Sequence, residues 1–165
     1  MQHVQTRSTT SALVLTAVLI ALATLFTMYT KIPVPGIRGY FNVGDVVIMT
    51  SALLLGRKYG AYIGAIGPAL ADLFLGYAVF VPITFVVKGI EGYLVGTVYN
   101  NKTTTSALVA TIVGGIIIVA GYFIAEYFVF DPGVAIAGIL TNTIQAVMSV
   151  IISMILYAIL RKRLG

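Results

Sequence analysis

The sequence predicts an all-α membrane protein: a bundle of six transmembrane helices with both termini in the cytoplasm. Of the 165 residues, 59% are hydrophobic and only 9% are charged, and the mean hydropathy is +1.04, which excludes an ordinary soluble domain. The apolar residues fall into six runs separated by short polar or Pro/Gly-rich segments. These spans would use nearly the whole length, so we expect one integral membrane domain over residues 1–165.

The first run covers residues 11–29 and follows a Ser/Thr stretch suited to capping a helix. Ala21-Leu22-Ala23 resembles a signal-peptidase site, but the apolar segment continues beyond it, so we expect a retained span. Residues 31–42 contain two prolines and two glycines, which predicts a structured loop. The second run, 43–55, is short for a span at 1.5 Å per residue, so neighbouring helices should shield it.

The remaining four spans are separated by recognisable breaks. Gly56-Arg57-Lys58 forms the turn into the third run, and a polar segment with several potential caps precedes the fifth. Asp131-Pro132-Gly133 turns the chain into the sixth run, which ends in Arg161-Lys162-Arg163. The predicted third to sixth spans are 59–77, 82–99, 107–130 and 134–160.

The basic residues predict the orientation. With six spans and cytoplasmic termini, seven of them lie inside, namely Arg7, Arg57, Lys58, Lys102, Arg161, Lys162 and Arg163. Only Lys31 and Arg38 lie outside, and Lys88 falls within a span. This bias follows the positive-inside rule. The loop 31–42 therefore faces outward, where it can cover a pocket.

Lys88 and Glu91 lie in the middle of the apolar run 81–99. Ionisable residues at membrane depth cost several kcal/mol unless they are paired or hydrated, so they mark candidate functional sites. Three residues apart, the two side chains share a helix face and can partly neutralise each other. Two interpretations remain: a structural ion pair between helices, or a polar ligand site in the bundle.

Other polar residues repeat this pattern on neighbouring spans. Tyr122 and Glu126 are four residues apart in the fifth run, and Asn142 and Gln145 are three apart in the sixth, so each pair shares a helix face. The amides could instead make interhelical hydrogen bonds worth about 1 kcal/mol. Together with Asp72 in the third run, they suit a small polar aromatic ligand.

Small residues recur at helical spacing in two runs, at Gly60, Gly64 and Gly67 of the third and at Gly92 and Gly96 of the fourth. Such rows let helix backbones approach closely, and ordinary bundle packing is the favoured interpretation.

Several classes of function are disfavoured. The chain has no cysteine and one histidine, His3, so we expect no metal site, no cofactor and no thiol or histidine catalysis. It has no phosphate-binding loop and cannot hydrolyse ATP itself. The basic residues lie at the ends of apolar runs rather than in a patch for nucleic acid. We therefore predict a non-enzymatic membrane protein.

The pattern resembles the substrate-binding S components of energy-coupling factor (ECF) vitamin transporters, in the branch with riboflavin, hydroxymethylpyrimidine and pyridoxine types. The resemblance covers nearly the whole chain, and Lys88-Gly89-Ile90-Glu91-Gly92 is its most specific stretch. The other matching stretches are Ala17 with Ala21, Phe41-Asn42-Val43-Gly44-Asp45, Leu55-Gly56-Arg57-Lys58-Tyr59-Gly60, Gly67-Pro68-Ala69-Leu70-Ala71-Asp72 with Leu75-Gly76-Tyr77, and Asn142-Thr143-Ile144-Gln145.

The resemblance implies a multi-pass protein of a bacterial-type plasma membrane. The S component would bind a vitamin from outside under the first loop and dock through Ala17 and Ala21 on a transmembrane coupling subunit driven by two ATPases. The implied substrate-binding residues are Asn42, Lys88, Glu91, Tyr122, Glu126, Asn142 and Gln145.

The substrate we expect is a vitamin B6 form or hydroxymethylpyrimidine rather than riboflavin, because Glu, Lys, Asn and Tyr side chains suit a hydroxylated, amino-substituted single ring. The absence of tryptophan disfavours thiamine, since thiamine-type members of the resembled family stack it on tryptophan. The alternative is a membrane scaffold or assembly protein whose Lys88–Glu91 pair is purely structural.

Overall fold

The computed structural model describes residues 9–33, 40–99 and 103–164, and within them most of the chain is helical. The helix bounds lie within a few residues of the predicted runs, because the Pro/Gly-rich and polar breaks end each helix. The helices are α1 Thr9–Tyr29, α2 Gly44–Leu55, α3 Arg57–Phe74, α4 Phe80–Val98, α5 Thr104–Val129 and α6 Pro132–Leu164.

Four of these helices, α1, α4, α5 and α6, are long and apolar enough to cross a membrane. Helix α2 has only 12 residues, and the segment from Gly44 to Leu53 is buried. The short second helix is thus shielded by protein, as its length predicted. Helix α3 has 18 residues and begins with Arg57 and Lys58. The count of six spans and the cytoplasmic termini stay predictions.

The loop between α1 and α2 contains a small departure from the predicted all-α fold. Strands β1 Ile32–Pro33 and β2 Tyr40–Phe41 pair antiparallel, with Ile32 opposite Phe41. Proline and glycine prevent a helix here but allow extended backbone, so the segment pairs with itself. The backbone N–H of Val43 donates to Thr30 Oγ1 at 3.0 Å and closes the base of this hairpin.

Helices α3 and α4 pack through their glycines. A Cβ atom at Gly92 would overlap the carbonyl group of Gly60, and one at Gly64 would overlap the carbonyl group of Lys88. The predicted packing role of the small-residue rows is therefore confirmed. The close approach fixes the rotation of α4, and Lys88 and Glu91 both lie in the bundle interior.

The bundle end opposite the hairpin carries the cations of α3 and α6. The Arg57 guanidinium lies 5.9 Å from the ring centroid of Tyr93, and that of Arg161 lies 5.8 Å from the ring centroid of Tyr157. Lys31 lies at the hairpin end, as predicted. Arg7, Arg38 and Lys102 fall outside the described residues.

Candidate ligand-binding site

A buried ion pair joins three helices near the hairpin end. The Lys88 ammonium on α4 binds Asp45 Oδ1 at the start of α2 and lies 3.6 Å from Glu91 Oε2. The other Asp45 oxygen accepts a 2.7 Å hydrogen bond from Gln145 Nε2 on α6. The Lys88–Glu91 contact was predicted, but Asp45 is the closer partner. A buried ammonium thus has two carboxylates beside it, and only one of them is also hydrogen-bonded.

Gln145 connects this ion pair to the hairpin. Its Oε1 accepts a 3.0 Å hydrogen bond from the backbone N–H of Asn42. The Asn42 Oδ1 in turn accepts from the backbone N–H of Gly44 at 2.9 Å, at the start of α2. A change in the position of Gln145 would therefore displace the backbone of Asn42, just after β2, or break this hydrogen bond.

A cavity of about 30 Å³ lies beside this network. That volume has room for about one or two water molecules. Polar and charged groups from five helices and from β2 converge on it, and its walls are completed by Pro68 and Phe80. The lining residues are Thr27, Tyr40, Asn42, Pro68, Asp72, Phe80, Thr84, Lys88, Tyr122, Glu126, Asn142 and Gln145.

The hairpin closes one side of the cavity. The Tyr40 hydroxyl donates a 2.6 Å hydrogen bond to Asp72 Oδ1, and the Tyr40 ring packs on Tyr77 with centroids 4.9 Å apart. Burial and the neighbouring Asp72 charge raise the pKa of Tyr40 above its ordinary value, so the phenol stays a neutral donor. Deeper in, the hydroxyls of Thr84 and Tyr122 lie 3.0 Å apart.

Glu126 contributes an acceptor that has no hydrogen-bond partner among the described residues. The residue is 6% exposed, it lines the cavity, and its Oε2 makes no hydrogen bond. Gly138 leaves room for this oxygen, because a Cβ there would lie 2.6 Å from it. Burying a carboxylate oxygen without a donor costs folding free energy. Glu126 Oε2 is therefore free to accept a hydrogen bond from a group in the cavity.

Six of the seven predicted substrate-binding residues line the cavity, namely Asn42, Lys88, Tyr122, Glu126, Asn142 and Gln145. Glu91 does not line it. It lies one helical turn deeper and is fully buried, and neither of its carboxylate oxygens has a hydrogen-bond partner in the part of the chain that the structure describes. Ala17 and Ala21, the predicted docking residues, are exposed on α1. Their roles stay predictions.

Neither Asp45 nor Asp72 is among the seven predicted substrate-binding residues, although the sequence already associated Asp72 with a polar ligand. Asp45 binds Lys88 directly, and Asp72 lines the cavity and holds Tyr40. A signal existed for Asp45: a buried lysine in an apolar run needs an acid, and Asp45 begins a helix too short to be exposed to lipid. The described residues contain no group of three or more His, Cys, Asp or Glu side chains that could hold a metal ion.

Solved S components of ECF transporters share this fold and define its class. One, described in "Structure and mechanism of the S component of a bacterial ECF transporter", has a TM-score of 0.76 over 93% of this chain and 96% of that chain, at 21% identity. The S component for biotin from an ECF-type ABC transporter has a TM-score of 0.59 over 91% and 94%, at 19% identity. At these identities the likeness concerns the fold alone.

The chain belongs to the family of the ECF-type riboflavin transporter S component, whose model matches residues 7–162. The uncharacterized protein in gap 3′ region of Pyrococcus woesei is 41% identical over 145 residues, which cover 86% of this chain and 96% of that relative. The thiamine precursor transporter HmpT of Lactococcus lactis subsp. cremoris (strain MG1363) is 30% identical over 149 residues, which cover 89% of this chain and 83% of HmpT.

Membership confirms the predicted resemblance to ECF S components. The chain is an S component of an ECF vitamin transporter, and the family is one of transport subunits in the plasma membrane rather than of enzymes. The alternative of a scaffold with a purely structural ion pair loses its support, because the family is defined by transport.

Proposed function

We propose that this chain binds a small B-vitamin-type ring on the outer side of the membrane and delivers it inward as the S subunit of an ATP-driven importer. The observation that carries this proposal is the buried cavity beneath the hairpin. A lysine, two carboxylates and several amide and hydroxyl side chains from different helices line it. Such a convergence in a membrane bundle is costly unless a ligand uses it.

The size of the cavity favours a single ring. Its volume of about 30 Å³ is far below the roughly 300–1,000 Å³ of sites for drug-sized ligands. Some widening is therefore needed for any vitamin. A one-ring compound requires much less of it than riboflavin, which has three fused rings and a sugar-alcohol chain.

Between the two favoured rings, we choose hydroxymethylpyrimidine over a vitamin B6 form. Glu126 Oε2 has no donor among the described residues, and the amino group of hydroxymethylpyrimidine can donate to it. The hydroxyl groups of pyridoxine can do the same, so this contact alone does not separate the two rings. The ring hydroxymethyl group can reach Lys88 or Asn142, which line the same cavity. The name of the relative HmpT, a thiamine precursor transporter, supports the same choice.

Thermal unfolding of the detergent-purified full chain against a set of rings tests this proposal. The set contains hydroxymethylpyrimidine, pyridoxine, pyridoxal, thiamine and riboflavin. A ligand at about 100 times its Kd adds about 2.7 kcal/mol to the free energy of unfolding, a visible rise in melting temperature. We expect the largest rise with hydroxymethylpyrimidine. Absence of a rise with every ring, after checking that none co-purified, would contradict the binding function.

Glu126→Gln tests the contact between the ring and this carboxylate in the same assay. Loss of a hydrogen bond to a charged group costs about 1.5–3 kcal/mol, or roughly 10- to 150-fold in Kd. We expect that loss for hydroxymethylpyrimidine, while the unliganded protein melts no lower than the wild type because the variant buries no charge. An unchanged Kd would show that Glu126 makes no hydrogen bond to the ring.

For delivery, we propose that Ala17 and Ala21 dock on a transmembrane coupling subunit served by two ATPases. Both residues are exposed and lie four apart on α1, so their small side chains allow a partner helix to approach closely. In the assembled complex, Ala17→Leu with Ala21→Leu should abolish uptake and leave ring binding unchanged. Ala120→Leu, at an exposed position of α5, is the matched control. Intact uptake in the double variant would rule out this docking surface.

A further inference from the structure

A second concavity lies at the hairpin end of the bundle, outside the buried cavity. Its volume is about 380 Å³, and it is lined by Gly76, Tyr77, Ala78, Val79, Phe80 and Phe130. Phe80 also lines the buried cavity and is only 7% exposed. The Phe80 side chain therefore forms part of the wall between the two spaces.

The backbone of this wall is held by hydrogen bonds, whereas the Phe80 side chain makes only apolar contacts with neighbouring rings. The N–H groups of Tyr77 and Phe80 donate to the carbonyl groups of Asp72 and Tyr77, both at 2.8 Å. The Phe80 ring lies 5.4 Å from Phe130 and 6.3 Å from Tyr77 between centroids. A phenylalanine ring has no hydrogen-bonding group, so its rotation leaves no buried donor or acceptor unpaired.

The hairpin side of the cavity is held differently. Tyr40 donates to the Asp72 carboxylate at 2.6 Å, the Asn42 N–H donates to Gln145 at 3.0 Å, and the Val43 N–H donates to Thr30 at 3.0 Å. Hydrogen bonds to ionised groups are about twice as strong as neutral ones. Opening the cavity on this side would break several polar contacts together, and opening it at Phe80 would break none.

We infer that the substrate enters the buried cavity past the Phe80 side chain, and that the groove formed by Tyr77, Phe80 and Phe130 is its first binding site. This inference rests on the proposed function. The groove lies within the roughly 300–1,000 Å³ typical of small-molecule sites, and its aromatic side chains suit stacking of a planar heteroaromatic ring. The ring first binds in the groove, then Phe80 rotates and the ring passes to Lys88 and Glu126.

Binding kinetics of radiolabelled hydroxymethylpyrimidine on the full chain in lipid nanodiscs test this route. Phe80→Ala should raise the association and dissociation rates together, each by roughly 2- to 10-fold, with a much smaller change in Kd. Phe128→Ala removes an equally large ring that is 81% exposed near the same end of α5, and it should leave both rates unchanged. Thr30→Val, which removes the hydroxyl that accepts from the Val43 N–H at the base of the hairpin, should also leave the association rate unchanged.

A tryptophan at the same position gives a second measurement. The chain contains no tryptophan, so Phe80→Trp places a single fluorophore between the groove and the cavity. We expect slower association and dissociation than in the wild type, with a fast fluorescence change on stacking before the slow one on entry.

The outcomes separate the route from the function. Wild-type rates in Phe80→Ala would overturn the inference, and faster rates in Thr30→Val would then assign entry to the hairpin side. Absence of equilibrium binding by the wild type would refute the proposed function, and the route with it. If Phe80→Ala does not fold, unchanged rates and a single fluorescence phase in Phe80→Trp would overturn the inference instead.

Discussion

The two ends of the bundle interior are stabilised in opposite ways. At the hairpin end, Lys88 and Gln145 line a cavity of about 30 Å³, and Asp45 binds both of them. Toward the other end, α3 and α4 touch backbone to backbone, with Gly60 against Gly92 and Arg57 against Gly96. One region keeps a small space lined by polar side chains, and the α3–α4 contact leaves no room for a side chain at its glycines. The difference indicates a tightly packed half beside a half with a polar cavity.

Burying polar and charged groups inside a membrane bundle costs free energy. A buried ion pair contributes little net stability, because the desolvation of both charges offsets their attraction. The Glu91 oxygens and Glu126 Oε2 also lack hydrogen-bond partners among the described residues. Glycine contacts carry no such cost. The proposed ligand binding would account for the polar groups that line the cavity, and packing accounts for the glycines.

The largest expected effect comes from removing the cation of the polar half. Lys88→Met leaves Asp45 and Glu91 buried without their ammonium, and an uncompensated buried charge costs about 3–5 kcal/mol. We expect a large fall in the melting temperature of the unliganded protein in detergent, together with loss of ring binding.

The matched variant removes the whole set of charges. Lys88→Met combined with Asp45→Asn and Glu91→Gln should recover much of the lost stability, because no unpaired charge then stays in the interior. Ring binding should stay lost. Equal melting temperatures for Lys88→Met and the wild type would show that the carboxylates need no counter-ion.

The second effect tests the packed half. Gly92→Ala places a methyl group against the carbonyl group of Gly60, where backbone must move to make room, and overpacking of this kind costs about 1–3 kcal/mol. Gly115→Ala is the control, since its methyl would lie 3.3 Å from the Ala146 Cβ, a distance that needs a shift of only a few tenths of an ångström. Thermal unfolding should separate the two, with a lower melting temperature for Gly92→Ala alone. Equal melting temperatures would contradict the tight packing of the α3–α4 contact.

The same contrast explains what the sequence could predict. Apolar runs and their Pro/Gly breaks predicted the helix bounds, because both are local properties of the chain. Polar residues in apolar runs predicted five of the six cavity residues, since membrane helices turn such residues inward. The sixth, Asn42, lies in the loop 31–42 and was predicted by the family resemblance. The partner of Lys88 was harder to foresee. Helical spacing favoured Glu91, whereas Asp45 is 43 residues away in sequence and meets Lys88 only through the packing of α2 against α4.

The hairpin was missed for a related reason. Residues 31–42 contain two prolines and two glycines and show no clear alternation of polar and apolar residues, so no pattern indicated strands. Tyr40 then had no predicted position. Its contact with Asp72 depends on where the hairpin meets α3, which is a property of the tertiary structure.

The smallest expected effect concerns this hydrogen bond between the hairpin and Asp72. Tyr40→Phe keeps the ring beside Tyr77 and removes the hydroxyl that donates to Asp72. A net loss of about 1.5 kcal/mol is expected, the lower end of the range for a hydrogen bond to a charged group. The raised pKa of Tyr40 in the folded protein fixes the pH dependence of that difference. The contribution of the phenol is fully present below the unfolded pKa of about 10 and is lost as the pH rises above that value.

Unfolding of the wild type and Tyr40→Phe at pH 7, 9 and 10.5 measures this dependence. The difference in free energy of unfolding should be the same at pH 7 and 9 and smaller at 10.5, because only the unfolded tyrosine then ionises readily. A difference that disappears between pH 7 and 9 would mean that Tyr40 ionises easily in the folded protein, which the adjacent Asp72 carboxylate should prevent. In that case the hairpin end would be open to water, and the contrast between a hydrogen-bonded hairpin side and an apolar Phe80 side would fail.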